Sequence, residues 1–221
     1  MKSPVEKNKQ YVVKIIDQGY EGEGIAKIEN FTIFVPSALL GETVQIQIVK
    51  VLSSHAFGKI VKIQEASSYR CEVDCATYKR CGGCNLRHMQ YAETLNLKEH
   101  TVRNLVQKTL QTSITIKPVI GMSYPYYYRN KAQFPLGRDK EGKPIMGVYA
   151  NRTHDIIPIQ ECKIQDQKAE KIAKAIYQYI VENNLSIYDE KTASGLFRHI
   201  MIRIGKKTNQ IMCVFVVNQE T

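Results

Sequence analysis

The segment CEVDCATYKRCGGCNLRH, residues 71–88, contains four of the six cysteines of this chain within fourteen positions. Cys75, Cys81 and Cys84 follow a C-x5-C-x2-C pattern, and two glycines separate the last two cysteines. Glycines there allow a sharp turn, so that neighbouring thiolates can converge on one centre while backbone N–H groups point at sulfur. The segment therefore predicts a metal centre.

Three sulfur ligands leave a tetrahedral or cuboidal site one ligand short. Cys71 is close enough in sequence to be the fourth, whereas Cys162 or Cys213 would have to be brought in by folding. Four thiolates suit structural Zn²⁺ and a [4Fe–4S] cluster alike. One C-x2-C pair with an x5 partner and a remote fourth ligand favours the cluster. Cys213 lies within an apolar strand segment and is most simply a small buried hydrophobic residue.

The chain is strongly basic, since 31 Lys and Arg against 21 Asp and Glu give a formal net charge of +10. Residues 1–66 carry 8 basic and 7 acidic side chains, whereas residues 67–221 carry 23 and 14. Such an excess indicates a polyanionic partner such as nucleic acid, although it also occurs on ordinary solvated surfaces. We expect the positive field mainly in the later part of the chain.

The N-terminal residues MKSPVEKNKQ lack the apolar run of a signal peptide, and no stretch is long and apolar enough to span a bilayer. We therefore expect a cytoplasmic monomer without a membrane partner. In a reducing compartment, clustered cysteines bind metals or do chemistry more often than they form disulfides.

Periodicity predicts two kinds of structure. Residues 11–66 show short apolar strands separated by glycines, which is typical of a small OB-like barrel. Its Gly22-Glu23-Gly24 element is not a dinucleotide fingerprint, because a strand rather than a helix follows. Helices are predicted at about 91–110 and 166–183. The last two segments, HIMIRIG and QIMCVFVV, predict strands, the second apolar on both faces as a buried central strand would be.

The chain resembles a known family in its order of motifs: YEGEGIAKI, FTIFVP, GETVQIQI, C-x5-CGGC-x3-H, YRNKAQFPLG and HDIIPIQEC. It is similar, along essentially its whole length, to the N-terminal half of bacterial RNA (uracil-5-)-methyltransferases, in particular the branch acting on 23S ribosomal RNA. The resemblance implies a TRAM domain, an OB-like RNA-binding barrel, in residues 1–66. It implies an α+β central RNA-binding domain with a [4Fe–4S] cluster in residues 67–221.

The resemblance also implies ligands, transferred by position: Cys75, Cys81, Cys84 and Cys162 hold the cluster, and Cys71 is left out. In the family's reaction an enzyme thiolate adds to C6 of uracil, C5 takes the methyl group of S-adenosylmethionine, and a base removes the C5 proton.

That chemistry needs a Rossmann-like domain with a Gly-rich loop, which this sequence lacks, so we expect the methyltransferase domain to be largely missing. We accordingly expect no catalytic or S-adenosylmethionine-binding residue here and no activity from the 221 residues alone. Helix 91–110 is expected to pack on the absent domain. A standalone RNA-binding protein that carries the cluster is the alternative function, and Zn²⁺ at the cysteines is the alternative metal.

RNA contacts are expected where aromatic rings adjoin cations, as in SYPYYYRNK, because unpaired bases are bound by stacking as well as by charge. In LFRHIMIR the basic residues alternate with isoleucines and should share one exposed face, which a merely solvated sheet would also show. In the barrel, Lys50, His55 and Lys59 are expected to position RNA without binding it tightly. The candidate RNA-binding residues are Arg129, Asn130, Lys131, Gln133, Tyr128, Arg152, His154, Arg198, His199 and Arg203.

Overall fold

The computed structural model describes residues 3–110 and 114–218. The described residues fall into two compact units. The barrel unit lies within Met1–Asp74 and Asn85–Met122, and the sheet unit lies within Cys75–Cys84 and Ser123–Thr221. The cysteine segment is thereby divided, with Cys71 in the barrel unit and the C-x5-C-x2-C pattern in the sheet unit.

Six strands form the barrel: β1 (Gln10–Lys14), β2 (Asp17–Gln18), β3 (Gly24–Ile28), β4 (Phe31–Val35), β5 (Thr43–Val51) and β6 (His55–Glu65). Their order is β1-β5-β6-β4-β3-β2, and all neighbours are antiparallel except β4 and β6. β1 and β2 belong to one extended stretch, in which the Ile16 N–H donates to the Ile25 carbonyl at 2.8 Å. The sheet closes because this stretch pairs with β5 at its start and with β3 at its end.

Strict alternation in β5 places the barrel core. Val44, Ile46 and Ile48 are fully buried, while Gln45 and Gln47 between them are partly exposed. Side chains of a strand point alternately to opposite faces, so one face of β5 lines the interior and the other faces outward. The buried residues of the other strands complete a continuous apolar core.

The glycines of the rejected nucleotide motif form a strand connection. Gly22 has a φ of +92°, which favours glycine, and a Cβ there would lie 2.2 Å from Leu86 Cδ2. Gly24 begins β3. The motif therefore serves the turn between two antiparallel strands.

A buried ion pair fixes the chain where it leaves the barrel. The Glu42 side chain is fully buried, and the Arg70 guanidinium donates to both of its carboxylate oxygens, at 2.5 and 2.8 Å. The N–H groups of Leu39 and Ser67 donate to the same carboxylate at 2.9 and 3.2 Å. Burial alone would raise the pKa of Glu42, but these hydrogen bonds outweigh it and hold the pKa below its usual value.

Beyond Arg70 the chain forms the stem of the cysteine loop. The Cys71 N–H donates to the His88 carbonyl at 3.0 Å, and the Gln90 N–H donates to the Tyr69 carbonyl at 2.9 Å. Farther along, the Arg87 guanidinium donates to both carboxylate oxygens of Asp74, at 2.6 and 2.7 Å. The two strands of the stem are therefore held side by side before residues 75–84 enter the sheet unit.

Helix α1 (Tyr91–Leu110) follows the stem. Near its start, Leu97 packs with Leu39 and Met89 in a small apolar cluster of the barrel unit. Toward its end, Val102 and Leu105 are 46% and 59% exposed. The packing of this helix on a further domain stays a prediction. Neither helix that the structure describes is long and apolar enough to cross a membrane.

Five antiparallel strands form the sheet unit: β7 (Lys131–Arg138), β8 (Pro144–Tyr149), β9 (Ile156–Pro158), β10 (Phe197–Gly205) and β11 (Gln210–Val217). Their order is β11-β10-β7-β8-β9. Helix α2 (Gln167–Glu182) buries its apolar stripe against one face of β7 and β10. Its first turn is capped by the Asp166 carboxylate, which accepts a hydrogen bond from the Lys168 N–H at 2.9 Å.

The prediction that β11 is a buried central strand is wrong. β11 is an edge strand of the sheet, and Met212 and Phe215 are 48% and 49% exposed. Cys213, predicted to be buried, is also exposed. The reason is that α2 packs mainly against β7 and β10, which leaves the apolar sequence at the edge of the sheet largely uncovered.

The predicted fold class is wrong in its last part. It combined an OB-like barrel and an α+β domain with a Rossmann-like methyltransferase domain that is largely missing. The described residues instead form two compact units, each with its own hydrophobic core. The prediction of a missing domain was based on the absence of a Gly-rich loop. The absence of a motif does not indicate whether the residues present can bury their apolar surface.

Replacing Arg70 by Ala should lower the free energy of unfolding by about 3–5 kcal/mol, because it leaves the Glu42 carboxylate buried without its cation. Arg87→Ala is the matched control, since it breaks an equally bidentate pair whose Asp74 side chain is 42% exposed. That control should cost about 1 kcal/mol or less. Urea unfolding followed by circular dichroism measures both, and equal losses would contradict the importance of burial.

The free energy of unfolding should fall as the pH is lowered from about 6.5 to about 4, because His88 is buried in its neutral form. Burial, and secondarily the nearby Arg70 charge, lower the pKa of His88 to about 4, so the folded state stays neutral while the unfolded chain takes up a proton. The loss should approach about 3 kcal/mol at pH 4 and be absent above pH 6.5. Unfolding midpoints of wild type and His88→Gln across this range test it, and parallel pH profiles would contradict it.

Candidate RNA interface and cysteine site

The cysteine loop, residues 75–84, docks on the turn between β8 and β9. Cys81 forms an antiparallel bridge with Ala150, and the Gly82 N–H donates to the Tyr149 carbonyl at 3.3 Å. The Asn151 N–H donates to the Arg80 carbonyl at 2.9 Å. A Cβ on Gly82 would lie 3.3 Å from the Asn151 Cα, so a glycine suits this close approach of two backbones.

The sulfur atoms of the loop have polar neighbours. The Gly83 N–H donates to Cys81 Sγ at 3.3 Å, and Cys75 Sγ lies 3.5 Å from Thr77 Oγ1. All four predicted ligands are partly buried and lie in the sheet unit. The donor set suits an iron–sulfur cluster, because thiolates are its usual ligands. Among residues 3–110 and 114–218, however, no three Cys, His, Asp or Glu side chains converge on a point that could hold a metal ion.

Cys162 lies outside the cysteine loop but interacts with it electrostatically. Burial raises the pKa of the Cys162 thiol, and the nearby Cys81 and Glu170 add to this, whereas hydrogen bonds from the Ile164 and Gln165 N–H groups act in the opposite direction. The thiol is therefore protonated at neutral pH unless a cation stabilises the thiolate.

The start of α2 positions the Cys162 segment. The Glu170 carboxylate, 7% exposed, accepts a hydrogen bond from the Cys162 N–H at 2.7 Å. One turn later, Lys174 Nζ donates to the Gln160 carbonyl at 2.6 Å. Burial raises the pKa of Glu170. Sequence reasoning missed this carboxylate, although an acidic residue in the first turn of a helix is a common anchor for a preceding loop.

Arg129 connects the two cysteine-bearing segments. Its guanidinium donates to the Gly83 carbonyl at 3.2 Å, and its backbone N–H donates to the Ile164 carbonyl at 3.0 Å. The side chain remains exposed. Arg129, predicted to contact RNA, therefore has a structural contact with the cysteine loop as well.

The face of the sheet opposite α2 collects several predicted RNA-binding side chains. Lys131 lies opposite Arg203, and Gln133 lies opposite Met201. The next pair is Pro135 and His199. The alternate residues of both strands are buried, so Lys131, Gln133 and Arg203 point outward and are exposed. We call Lys131, Gln133, His199, Met201 and Arg203 the basic face.

A second group of predicted residues lies around Tyr149. Its ring centroid is 5.5 Å from that of His154 and 6.2 Å from that of His199. His154 Nδ1 lies 3.2 Å from a Glu190 carboxylate oxygen. Burial, and secondarily Arg198, lower the pKa of His199, so its ring favours the neutral form. Tyr149 and Glu190 were not predicted, because nothing in their local sequence marks them as neighbours of the histidines.

The remaining candidates lie at other places in the sheet unit. Arg198 stacks over the Tyr188 ring at 4.5 Å, which gives it a cation–π partner. Arg152 is exposed in a turn with a φ of +59°. The exposed Asn130 accepts a hydrogen bond from the Ile204 N–H through its backbone carbonyl at 2.8 Å. Tyr128 is 46% exposed.

Neighbouring tyrosines form a ring cluster. The centroid distances between Tyr124, Tyr126 and Tyr127 are 5.1, 6.3 and 6.3 Å. The Tyr127 hydroxyl donates to the Glu161 carboxylate at 2.7 Å, and this hydrogen bond raises the pKa of Tyr127. Lys206 donates to the Tyr127 carbonyl. Tyr127 is therefore tied to its own unit, and Tyr128 beside it is the more available for stacking.

Comparison with known proteins finds relatives described as RNA methyltransferases. The chain is 46% identical over 98% of its length to a protein of Clostridium tetani described as an uncharacterized RNA methyltransferase. It is 38% identical, again over 98% of its length, to an uncharacterized RNA methyltransferase of Staphylococcus epidermidis. The chain spans about half the length of the curated relatives it matches, 47% and 48% of these two.

A solved structure shares the fold. The chain superimposes on the Pyrococcus abyssi tRNA (uracil-54, C5)-methyltransferase, crystallised with S-adenosyl-L-homocysteine, with a TM-score of 0.66 and 20% identity. The match covers 95% of this chain and 46% of the archaeal one.

These matches correct one prediction and leave a second without support. The relatives and the solved structure align with nearly all of the residues present, so the fold class predicted with a largely missing domain is corrected to that of the two units these residues form. The expected inactivity of the 221 residues has no support from the comparisons either.

The TRAM domain family matches residues 4–61, which contain β1 to β5 and the first part of β6. This match agrees with the closed barrel that these strands form. Residues 4–61 are therefore a TRAM domain, in a chain that is similar over almost its whole length to RNA methyltransferases.

Proposed function

We propose that this chain binds RNA for an S-adenosylmethionine-dependent uracil-C5 methyltransferase, with the basic face as an RNA interface. The observation that carries the proposal is the direct pairing of Lys131 with Arg203 on an exposed sheet face that also presents Gln133. Two cations side by side suit a phosphate backbone, and an amide beside them can hydrogen-bond a base. The similarity to RNA methyltransferases along the chain supports it.

Within this function, the chain's own residues hold and orient RNA. Lys131 and Arg203 contact phosphates, while Tyr128 stacks on an unpaired base, as aromatic side chains do in recognition of single-stranded RNA. His154 and His199 lie around Tyr149 and supply hydrogen bonds at the edge of this surface. The substrate we propose is 23S ribosomal RNA, on the strength of the motif order described above. The protein acts as a monomer in the cytoplasm, where cysteines stay reduced.

We also propose a [4Fe–4S] cluster held by Cys75, Cys81, Cys84 and Cys162. All four residues belong to the sheet unit, whereas Cys71 belongs to the stem of the barrel unit, where its Sγ contacts the Arg87 carbonyl at 3.7 Å. When bound, the cluster would supply a rigid cross-link between the cysteine loop and the Cys162 segment. Arg129, which hydrogen-bonds to both segments, would then be oriented beside the basic face.

The charge-removing variant Lys131→Ala/Arg203→Ala should weaken RNA binding and lower the slope of log affinity against log salt by about 1 per cation removed. The matched control is Lys168→Ala/Lys171→Ala, which removes two exposed lysines from α2, on the opposite side of the sheet. Fluorescence anisotropy with a labelled 23S ribosomal RNA fragment, and with a transfer RNA, gives the affinities.

An equal loss in both charge variants would mean that only net charge matters and would sink the proposed interface. Tighter binding of transfer RNA than of the 23S fragment would overturn the substrate assignment but leave the interface.

Single Cys→Ser variants should separate the cluster ligands from the other cysteines. After anaerobic purification, replacing Cys75, Cys81, Cys84 or Cys162 should abolish the visible absorption of the cluster and lower the iron content, because each removes one of four ligands. Cys71→Ser and Cys213→Ser are the controls and should retain both signals. A colourless protein that contains zinc and no iron would refute the cluster, and bleaching by Cys71→Ser but not by Cys162→Ser would reassign the fourth ligand.

A further inference from the structure

Cys162 lies between two kinds of support in the sheet unit. On its C-terminal side, the Lys163 carbonyl accepts a hydrogen bond from the Tyr127 N–H at 2.9 Å, at the start of a short backbone ladder. On its N-terminal side, strand β9 ends at Pro158. Residues 159–162 therefore connect the end of a strand to this ladder, and the first half of α2 lies beside them.

Two side chains of α2 hold this connection by its backbone. The Glu170 carboxylate accepts a hydrogen bond from the Cys162 N–H at 2.7 Å, and Lys174 Nζ donates to the Gln160 carbonyl at 2.6 Å. Glu170 and Lys174 are four residues apart, so they lie on the same side of the helix, where their opposite charges attract each other. We call Glu170 and Lys174 the helix clamp.

Helix capping does not account for Glu170. A capping box has Glu or Gln at the third helical position, with its side chain bonded to the N–H of the N-cap residue. In α2 the N-cap is Asp166, whose carboxylate bonds to the Lys168 N–H, and the third helical position is Ala169. Glu170 comes one position later, and its carboxylate is bonded to Cys162 instead.

Burial gives the same indication. Glu170 is 7% exposed, and a carboxylate that loses its water requires hydrogen-bond donors in exchange. An exposed acidic residue in the first turn would stabilise the start of α2 without that cost. The donor that Glu170 receives is the N–H of a proposed cluster ligand. The burial of this carboxylate is therefore explained by the Cys162 backbone and not by the helix.

The clamp fixes the peptide group from which the Cys162 sulfur extends. On the other side of that residue, the N–H groups of Ile164 and Gln165 bond to the sulfur itself, and Cys81 is near enough to interact with it electrostatically. N–H groups directed at sulfur suit a thiolate that binds a metal. Because the N–H of Cys162 is bonded to Glu170, the direction of its side chain is set before any metal binds.

We propose that Glu170 and Lys174 are positioning residues for Cys162, which hold the backbone on its N-terminal side so that its sulfur is in place as the fourth metal ligand. The inference rests on the proposed function in one respect, namely that Cys162 is a ligand. Residues that orient metal ligands in this way typically contribute about 10–100-fold to metal affinity.

The test compares Glu170→Ala with Glu170→Gln in the full chain, purified anaerobically with its iron. The amide oxygen of glutamine accepts the Cys162 N–H as the carboxylate does, whereas alanine leaves this N–H without an acceptor. The rate at which EDTA bleaches the visible absorption should therefore rise by about tenfold or more in Glu170→Ala and stay within about threefold of wild type in Glu170→Gln.

Two further variants make the result specific. Lys174→Ala repeats the test at an exposed position, where no loss of the fold is expected, and should also bleach faster than wild type. Glu182→Ala removes an exposed carboxylate from the other end of α2 and should bleach at the wild-type rate. Urea unfolding shows that each variant is folded in the assay.

A second measurement does not require the cluster. In the metal-free chain, iodoacetamide alkylation of Cys162, followed by mass spectrometry of its peptide, should be at least about twofold faster in Glu170→Ala than in wild type, because the segment opens locally. Cys75, in the same unit but outside this segment, should be alkylated at an unchanged rate. Equal acceleration at both cysteines would indicate a general loss of packing and would overturn the clamp.

The two measurements distinguish this inference from the proposed cluster. Wild-type bleaching rates in both Glu170→Ala and Lys174→Ala overturn the clamp and leave the cluster. Equal acceleration in Glu170→Gln and Glu170→Ala also overturns the clamp, since glutamine keeps the hydrogen-bond acceptor. A wild-type chain without bound iron overturns the cluster, and the alkylation rates then decide whether the clamp holds Cys162.

Discussion

The organisation of this chain depends on one buried carboxylate. Glu42 is fully buried, and a buried charge is tolerated only when its lone pairs are satisfied and a cation lies close. Its partners come from the turn before β5, through Leu39, and from the segment after β6, through Ser67 and Arg70. The end of the barrel is thereby tied to its own interior. The stem of the cysteine loop starts at Arg70, which this ion pair fixes.

The consequence for function is a division between the two units. Most of the excess positive charge lies after residue 66, where the basic face presents Lys131 and Arg203 on an exposed sheet surface. The barrel is almost balanced in charge. Electrostatic attraction to phosphates is long-ranged and independent of sequence. Under the proposed function, the basic face would hold RNA through its phosphates.

Several elements could be predicted from local patterns. Val44, Ile46 and Ile48 alternate and form β5, while Ile172 and Ile176 lie on the apolar stripe of α2. The basic residues of β10 were expected on one exposed face because they alternate with isoleucines, and Arg203 is exposed there. By contrast, β11 was expected at the centre of the sheet and lies at its edge. An apolar run in the sequence does not reveal whether a neighbouring element covers it. The fold class with a largely missing domain was inferred from an absent motif, which carries no information about the packing of the residues present.

The sequence by itself determined the local structure. The periodicity of apolar side chains, the glycine positions and the cysteine spacing are all patterns that extend over only a few residues. It identified a barrel, two helices and four sulfur-bearing side chains worth testing as ligands. Only the tertiary structure decided which residues meet: that Cys71 and Cys75 belong to different units, that Phe34 pairs with Phe57 and that Lys131 pairs with Arg203. Strand register and the path of a loop arise from contacts between residues distant in sequence, and no local pattern specifies them.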